Sequence, residues 1–225
     1  MIRSLSLALV VAAGIPSSIA RAQVTVADEG SFTITVKGER VGRENFWIRT
    51  TPDPRGPVYI ATATSIVGGR KMEPRELADP NGVPLGYDLK ISGDDVLQLS
   101  GRIERGRMGL SVRTPRGESK REFLVSDNAV LIDDDVYHQY FFLARRKASG
   151  SVPIVIPQRN AQVTARVTQG EREPLTIGGV TVDARRLVVS EGGVTRDVWV
   201  DASGRVLKVA ISSRGVVALR DDPPR

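Results

Sequence analysis

The sequence predicts a mainly β protein, built from one antiparallel sheet of about ten to twelve strands and a single α-helix. Three observations predict it. Apolar and polar residues alternate along most of the chain, turn-forming residues separate the alternating runs, and one segment instead has helical spacing. Alternation with period two is typical of antiparallel strands that bury one face, whereas apolar spacings of three and four are typical of an amphipathic helix.

The alternation is clearest in five segments: residues 32–36, 85–91, 108–112, 163–167 and 207–211. Glycine-containing turns follow or separate such runs at residues 37–40, 92–95, 191–193 and 201–204. Glycine supplies the positive φ that tight hairpin turns require. Short strands joined in this way predict a meander in which consecutive strands pair with each other.

The helix is predicted from Asp133 to Lys147, where the apolar residues are spaced three and four apart. Aspartates at 133–135 stand where a helix dipole favours anions, and basic residues at 145–147 stand at the opposite end. The aspartates are therefore interpreted as helix caps. A calcium loop is not favoured, because the alternating Asp-x-Asp pattern is absent.

Two proline-containing segments are predicted to be irregular. Residues 51–84 are expected to form a long loop at one rim, with one short strand near residues 58–63. Residues 150–157 contain Pro153 and Pro157, so this segment is expected to be an edge strand at best.

The first 22 residues predict a cleavable signal peptide, with a charge at Arg3, an apolar run at 5–15 and small residues at Ala20 and Ala22. Cleavage after Ala22 would leave one β-rich domain, residues 23–225, in the periplasm or the extracellular medium. The apolar run is shorter than the roughly 20 residues that a membrane span needs, so we predict no integral membrane span.

Composition excludes several classes of function. The chain has no cysteine, which excludes disulfides, a lipidated cysteine and a thiol nucleophile. Removing Arg3 and Arg21, with no acid in the same segment, lowers the formal net charge from +6 to +4. The basic residues are scattered among acids with little aromatic interleaving, so we expect a mixed-charge surface and no nucleic-acid partner.

Three short sequence segments resemble those of a known group of proteins: Gly38-Glu39-Arg40-Val41-Gly42, residues 131–140 and Val198-Trp199-Val200-Asp201. With strands on both sides of one helix, the chain resembles the lipoprotein-localisation factors (LolA/LolB-like) and, more closely, uncharacterised secreted bacterial proteins of similar shape. The resemblance implies a curved antiparallel sheet that forms an unclosed half-barrel around a helical plug. It also implies a cavity for apolar material.

No catalytic signature stands out. His138 is the only histidine, which excludes sites that need two. Four residues after Asp134 on the predicted helix, it could form an acid–base pair or half of a metal site; the simpler interpretation is a hydrogen-bonded structural histidine. We predict no cofactor, no metal and no catalytic residue, and favour a protein that is not an enzyme. A carboxylate-based hydrolase is the least favoured function.

Apolar and aromatic side chains of the helix and one strand are the candidate ligand contacts: Val136, Tyr137, Tyr140, Phe141 and Trp199. They fit a plain core as well, because a helix packed on a sheet must bury an apolar stripe. As a binding site they would line a cavity between helix and sheet for an apolar small molecule or lipid. The alternative is a structural or interaction module in cell-envelope assembly that binds protein through an open sheet edge.

Overall fold

The computed structural model describes residues 24–54 and 56–224. The predicted signal peptide, residues 1–22, and its cleavage site lie outside these residues. None of the helices in this described part has the length and apolar character of a membrane-spanning helix.

Fifteen strands form a single sheet, in which they lie in the order β8-β7-β6-β5-β4-β3-β2-β1-β15-β14-β13-β12-β11-β10-β9. Every neighbouring pair is antiparallel except β9 and β10, which are parallel. The strands are Thr25–Val36 (β1), Glu39–Thr51 (β2), Val58–Val67 (β3), Arg70–Ala78 (β4), Pro84–Ser92 (β5), Leu97–Glu104 (β6), Arg107–Thr114 (β7), Gly117–Leu124 (β8), Val130–Leu131 (β9), Gly150–Ile156 (β10), Ala161–Ile177 (β11), Val180–Glu191 (β12), Val194–Val200 (β13), Val206–Ile211 (β14) and Val216–Arg220 (β15). The mainly β antiparallel prediction is confirmed, but the expected ten to twelve strands were too few.

The undercount comes mainly from the segment predicted as a long loop. Residues 58–78 form the hairpin of β3 and β4, whose two-residue turn is Gly68-Gly69, with φ of +54° and +82°. Pro74 lies inside β4, where the pairing of β3 with β4 skips residues 73 and 74. A proline without an amide hydrogen is tolerated in this inner strand because the ladder is interrupted there.

The second proline-containing segment is also more regular than expected. β10 pairs along its whole length with β11 and is second from the edge. The edge strand is β9, which pairs only with Ile154 and Val155 of β10. Pro153 therefore interrupts no pairing between β10 and β9, because β9 does not reach it.

The predicted helix is much shorter in the structure. Helix α1 spans Tyr140–Arg145, has no side-chain cap at Gln139 and no acid in its first turn, so the interpretation of the aspartates as helix caps was wrong. The amides of Tyr137 and His138 donate instead to the carboxylate of Glu44 in β2. These amides bind a side chain of the sheet, and residues 132–139 before the helix are not helical. We call residues 132–145 the plug.

The plug fills the concave side of the sheet. One apolar cluster joins plug residues such as Phe141 and Leu143 to β1–β3, the end of β4 and β10–β15, and a second lies among β4–β7 and includes Tyr87 and Met108. Inward side chains alternate with outward ones, which is why period-two alternation predicts the strands.

A third, smaller cluster lies on the convex face of the sheet. Trp199 alternates with the inward residues Val198 and Val200 and packs outside against Ile177, Ala184 and Leu207. A register shift between Gln169 and Arg172 precedes the far half of the β11–β12 hairpin, which supplies Ile177 and Ala184. Half of that long hairpin therefore covers the outer face of β13 and β14.

Candidate functional site

Glu44 positions the plug from the inner wall of the sheet. It lies in phase with Phe46 and Ile48 on β2, so the alternation that buries those two residues also buries Glu44. One carboxylate oxygen, Oε1, accepts from the His138 amide at 2.8 Å and lies 3.0 Å from His138 Nδ1. The other accepts from the Tyr137 amide at 3.1 Å. The carboxylate thus satisfies two backbone donors that would otherwise be buried without partners.

His138 has a structural position. Its ring is buried, stacks on Phe46 with centroids 5.7 Å apart and faces Glu44. Asp134, the expected partner of His138 in an acid–base pair, points to the rim and binds Arg159 through both carboxylate oxygens, at 2.7 and 2.8 Å. The two residues therefore do not form an acid–base pair or half of a metal site.

A second chain of polar groups runs through Gln139. The side-chain Nε2 of Gln139 donates to Glu76 Oε2 at 2.9 Å, and its side-chain Oε1 accepts from the Asp133 backbone amide at 2.7 Å. Asp133 Oδ1 accepts in turn from the Gln158 amide at 3.0 Å. Burial raises the pKa of Asp133 to about 6, although these amide hydrogen bonds oppose the shift. Burial also raises the pKa of Glu76 well above its usual range.

Three atoms of this cluster have no hydrogen-bond partner within the described chain: Glu76 Oε1, Asp133 Oδ2 and the Tyr87 hydroxyl. The Tyr87 hydroxyl lies close enough to Asp133 to lower the pKa of its carboxyl, but no bond of ordinary geometry joins them. No three His, Asp or Glu side chains of the described residues are placed to hold a metal ion. The arrangement can bind and release protons, but it does not resemble a metal centre.

A buried ion pair fixes the start of β1 to the end of β15. Both guanidinium ends of Arg220 reach the carboxylate of Asp28, at 2.8 and 3.0 Å, and both side chains are almost fully buried. Gly30 is needed beside them, because a Cβ there would lie 2.8 Å from Arg220 Nη2. The sequence indicated neither this pair nor Glu44 as special. In both cases the sequence offered one indication: a charged residue at, or next to, a position where the alternation of the strand predicts a buried side chain.

The predicted ligand contacts are separated by the structure. Val136, Tyr137 and Tyr140 line a cavity of about 30 Å³ between the plug and β10–β14. Its other walls are aliphatic side chains of the sheet, among them Ile154, Ile156, Val163, Val189 and Ile211. Burial raises the pKa of Tyr140 to about 12, and that of Tyr137 is raised as well, so both keep their protons at neutral pH.

The remaining two predicted contacts do not line this cavity. Phe141 belongs to the packed core, edge-on to Tyr59 and Phe142 with centroids 6.1 and 5.4 Å away. Trp199 lies on the convex face, where its indole N–H donates to Glu173 and Lys208 lies 4.4 Å from its ring centroid. Trp199 is thus part of the outer cluster and is remote from the plug.

Ion pairs surround the mouth of the cavity. Arg159 bridges Asp134 and Glu191, with nitrogen–oxygen distances of 2.7 and 3.5 Å. Arg196 also approaches Glu191, and Arg214 binds Asp135 at 2.9 Å. We call this end of the fold the ion-paired rim: Asp134, Asp135, Arg159, Glu191, Arg196 and Arg214.

Comparison with known proteins supports the fold and nothing finer. No family model matches the chain, and no curated protein matches it in sequence. A crystal structure of a β-barrel-like protein of domain of unknown function DUF1849 from Brucella abortus is similar, with a TM-score of 0.55 and 8% sequence identity. The match covers 86% of this chain and 94% of that chain. At this identity the likeness shows a barrel-like fold alone, and the resemblance to the LolA/LolB-like fold is not established by it.

Proposed function

We propose that this chain is an exported protein that binds an apolar ligand, such as a lipid chain, between the plug and the aliphatic wall of β10–β14. The observation that supports the proposal is the cavity under Tyr137 and Tyr140, which is apolar inside and bordered by half-exposed ion pairs. Binding sites of this kind combine apolar walls with a few polar groups that orient the ligand.

Entry of a ligand requires the plug to move. A cavity of about 30 Å³ has room for about one water molecule. The segment 132–137 is not helical and is held at its outer end by arginine ion pairs. Exposed ion pairs stabilise a structure by at most about 1 kcal/mol each, so such a border can open at low cost.

Two measurements test the proposal. Mass spectrometry of organic extracts from protein purified natively from the periplasm, with its N-terminus expected at Gln23, should detect a bound lipid. The uncharged fluorescent probe N-phenyl-1-naphthylamine should bind purified protein. Val163→Trp places a large ring at the β11 wall of the cavity and should weaken probe binding about tenfold, or about 1.4 kcal/mol, because the ring occupies space that the probe needs.

The matched control is Val112→Trp, at a partly buried strand valine that packs in the other apolar cluster. It should leave probe affinity unchanged. An empty protein that does not take up the probe would overturn the proposal, as would equal losses in the two variants.

The second candidate function is a protein-binding module in envelope assembly. Its supporting observation is β8, an edge strand that pairs only with β7 and is exposed at seven of its eight residues, all but Phe123. Such an edge can receive a strand from a partner, although the charged residues Lys120, Arg121 and Glu122 are of the kind that protect an edge from pairing. A pull-down from envelope extracts would retain a specific protein under this function, and a lipid under the first.

A further inference from the structure

A large open cleft lies at the other end of the sheet from the ion-paired rim. Strand β12 connects the two ends: Arg185 and Leu187 line the cleft, whereas Glu191 belongs to the ion-paired rim. The cleft has a volume of about 710 Å³ and is open to solvent. It is therefore separate from the cavity of the proposed function.

Two similar turns build its walls. Residues 79–82 between β4 and β5 and residues 201–204 between β13 and β14 both have the pattern Asp-x-x-Gly. In each turn the aspartate accepts two backbone amides, from Asn81 and Val83 or from Ser203 and Arg205, at 2.8–2.9 Å. The position of each wall is thus fixed by side-chain hydrogen bonds within the turn.

The glycine of each turn packs on the end of helix α1. Gly82 and Gly204 have φ of +77° and +81°. A Cβ at Gly82 would lie 3.3 Å from Phe142 Cδ1, and one at Gly204 would lie 3.2 Å from the Arg145 amide nitrogen. The turns clamp the end of the plug between them, so the basic residues that follow it are held at the cleft.

Five basic side chains line the cleft from three elements: Arg145, Arg146 and Lys147 from the end of α1, Arg172 from β11 and Arg185 from β12. Arg172 is compensated by Asp183, and the only other acid of the lining, Asp201, is bound by Arg205. The remaining four have no carboxylate partner within residues 24–54 and 56–224. Arg185 bonds the neutral Gln169, Arg146 bonds the carbonyl of Ala129, and Arg145 lies over the ring of Tyr59.

A helix dipole does not account for this collection. Basic residues after a short helix could offset its negative end, but Arg185 comes from strand β12, about 40 residues after the helix. Four positive side chains that line one cleft without a carboxylate partner repel one another when no anion is present. A bound anion would remove that repulsion, and planar guanidinium groups match phosphate oxygens in pairs.

We infer that this cleft binds a phosphate-bearing ligand with two or more negative charges. Its floor includes the apolar side chains of Ala144, Leu187 and Val200, which would contact the organic part of such a ligand. A phospholipid head group and a soluble phosphate ester share this chemistry.

Inorganic pyrophosphate is the probe for the first arm of the test, with calorimetry in about 0.15 M salt so that nonspecific attraction is screened. Wild-type protein should bind one pyrophosphate. Arg185→Gln should weaken binding at least about tenfold, as expected for the loss of one charge-assisted contact. Lys147→Gln, which changes an exposed residue, should also weaken it, and Arg145→Lys should recover only part of the affinity lost in Arg145→Gln.

The matched control is Arg116→Gln, at the tip of the β7–β8 hairpin, which removes the same charge away from the cleft. It should leave pyrophosphate affinity unchanged. No binding by the wild type, or equal losses in Arg116→Gln and Arg185→Gln, would overturn the inference. Uptake of N-phenyl-1-naphthylamine does not depend on these residues, so failure here is distinguishable from failure of the proposed function.

The second arm identifies the source of the phosphate. Flotation with phosphatidylcholine vesicles that contain phosphatidic acid should retain the protein, with competition by pyrophosphate, if the ligand is a lipid head group. Pyrophosphate binding without retention on these vesicles supports a soluble phosphate ester. Retention that is equal on pure phosphatidylcholine and insensitive to Arg185→Gln counts against the cleft.

Discussion

The two ends of the barrel use the same residue type in opposite ways. At the ion-paired rim, Arg159, Arg196 and Arg214 each bind an aspartate or glutamate. At the other end, Arg145 and Arg185 face a cleft with no carboxylate partner in the described chain. Paired charges at a surface neutralise each other, and separating them requires little free energy. Unpaired positive charges that lie together attract an anion. A count of arginines alone would treat these two ends as equivalent.

The three aspartates Asp133–Asp135 show the same contrast, because some of them have an arginine partner and one does not. Asp134 and Asp135 are compensated by arginines at the ion-paired rim, but Asp133 turns inward and accepts hydrogen bonds from the backbone amides of Asp134 and Gln158. One buried acid without a cation therefore lies directly behind a rim in which every acid has one.

The largest expected effect follows from Asp133. Its pKa is about 6 in the folded protein, against an ordinary value of 3.8, so the folded state binds the proton more tightly. Its contribution to stability is present below pH 4 and is lost as the pH rises to about 6, a change of about 3 kcal/mol. Asp133→Asn keeps an acceptor for the Gln158 amide and removes the charge. The variant should equal wild type near pH 4 and exceed it by about 3 kcal/mol at pH 7, measured by urea unfolding.

Asp94→Asn, in the turn between β5 and β6, is the control and should leave the pH dependence of stability in place. An Asp133→Asn variant that is less stable than wild type at pH 7, or that differs from it by the same amount at every pH, would contradict the assignment of this pH dependence to Asp133.

A smaller effect is expected at the ion-paired rim itself. Arg159→Gln removes the bridge between Asp134 and Glu191, and with a side chain that is 41% exposed it should cost no more than about 1 kcal/mol. Uptake of N-phenyl-1-naphthylamine should become severalfold faster in stopped-flow measurements, because segment 132–137 is released. Arg107→Gln breaks an exposed pair with Glu122 elsewhere and should leave the uptake rate unchanged. Equal rates in Arg159→Gln and wild type would show that these ion pairs do not control entry.

The sequence by itself determined which residues of a strand are buried more reliably than it determined the number of strands. Alternation placed Phe32 and Ile34 or Leu89 and Ile91 on the buried face, since a strand presents every second residue to one side. The short strand expected near residues 58–63 is part of β3, but Pro74 hid β4 because a sequence does not show where a ladder is interrupted. The periodicity of residues 133–147 was correct about burial but not about helix, because spacing reports which side chains face the core and does not report what the amides bind.

Only the tertiary structure decided which charged residues are buried and which partners they bind. Glu44 and His138 are 94 positions apart, and Asp28 and Arg220 are 192 apart. The cleft likewise joins the end of α1 to β12 and to two turns that are more than 100 residues apart in the sequence. Local pattern determines which face of an element is buried, because that depends on neighbouring residues. For Asp28 and Asp134, compensation of the charge depends on which distant arginine the folded sheet brings to within about 4 Å, and no local pattern contains that information.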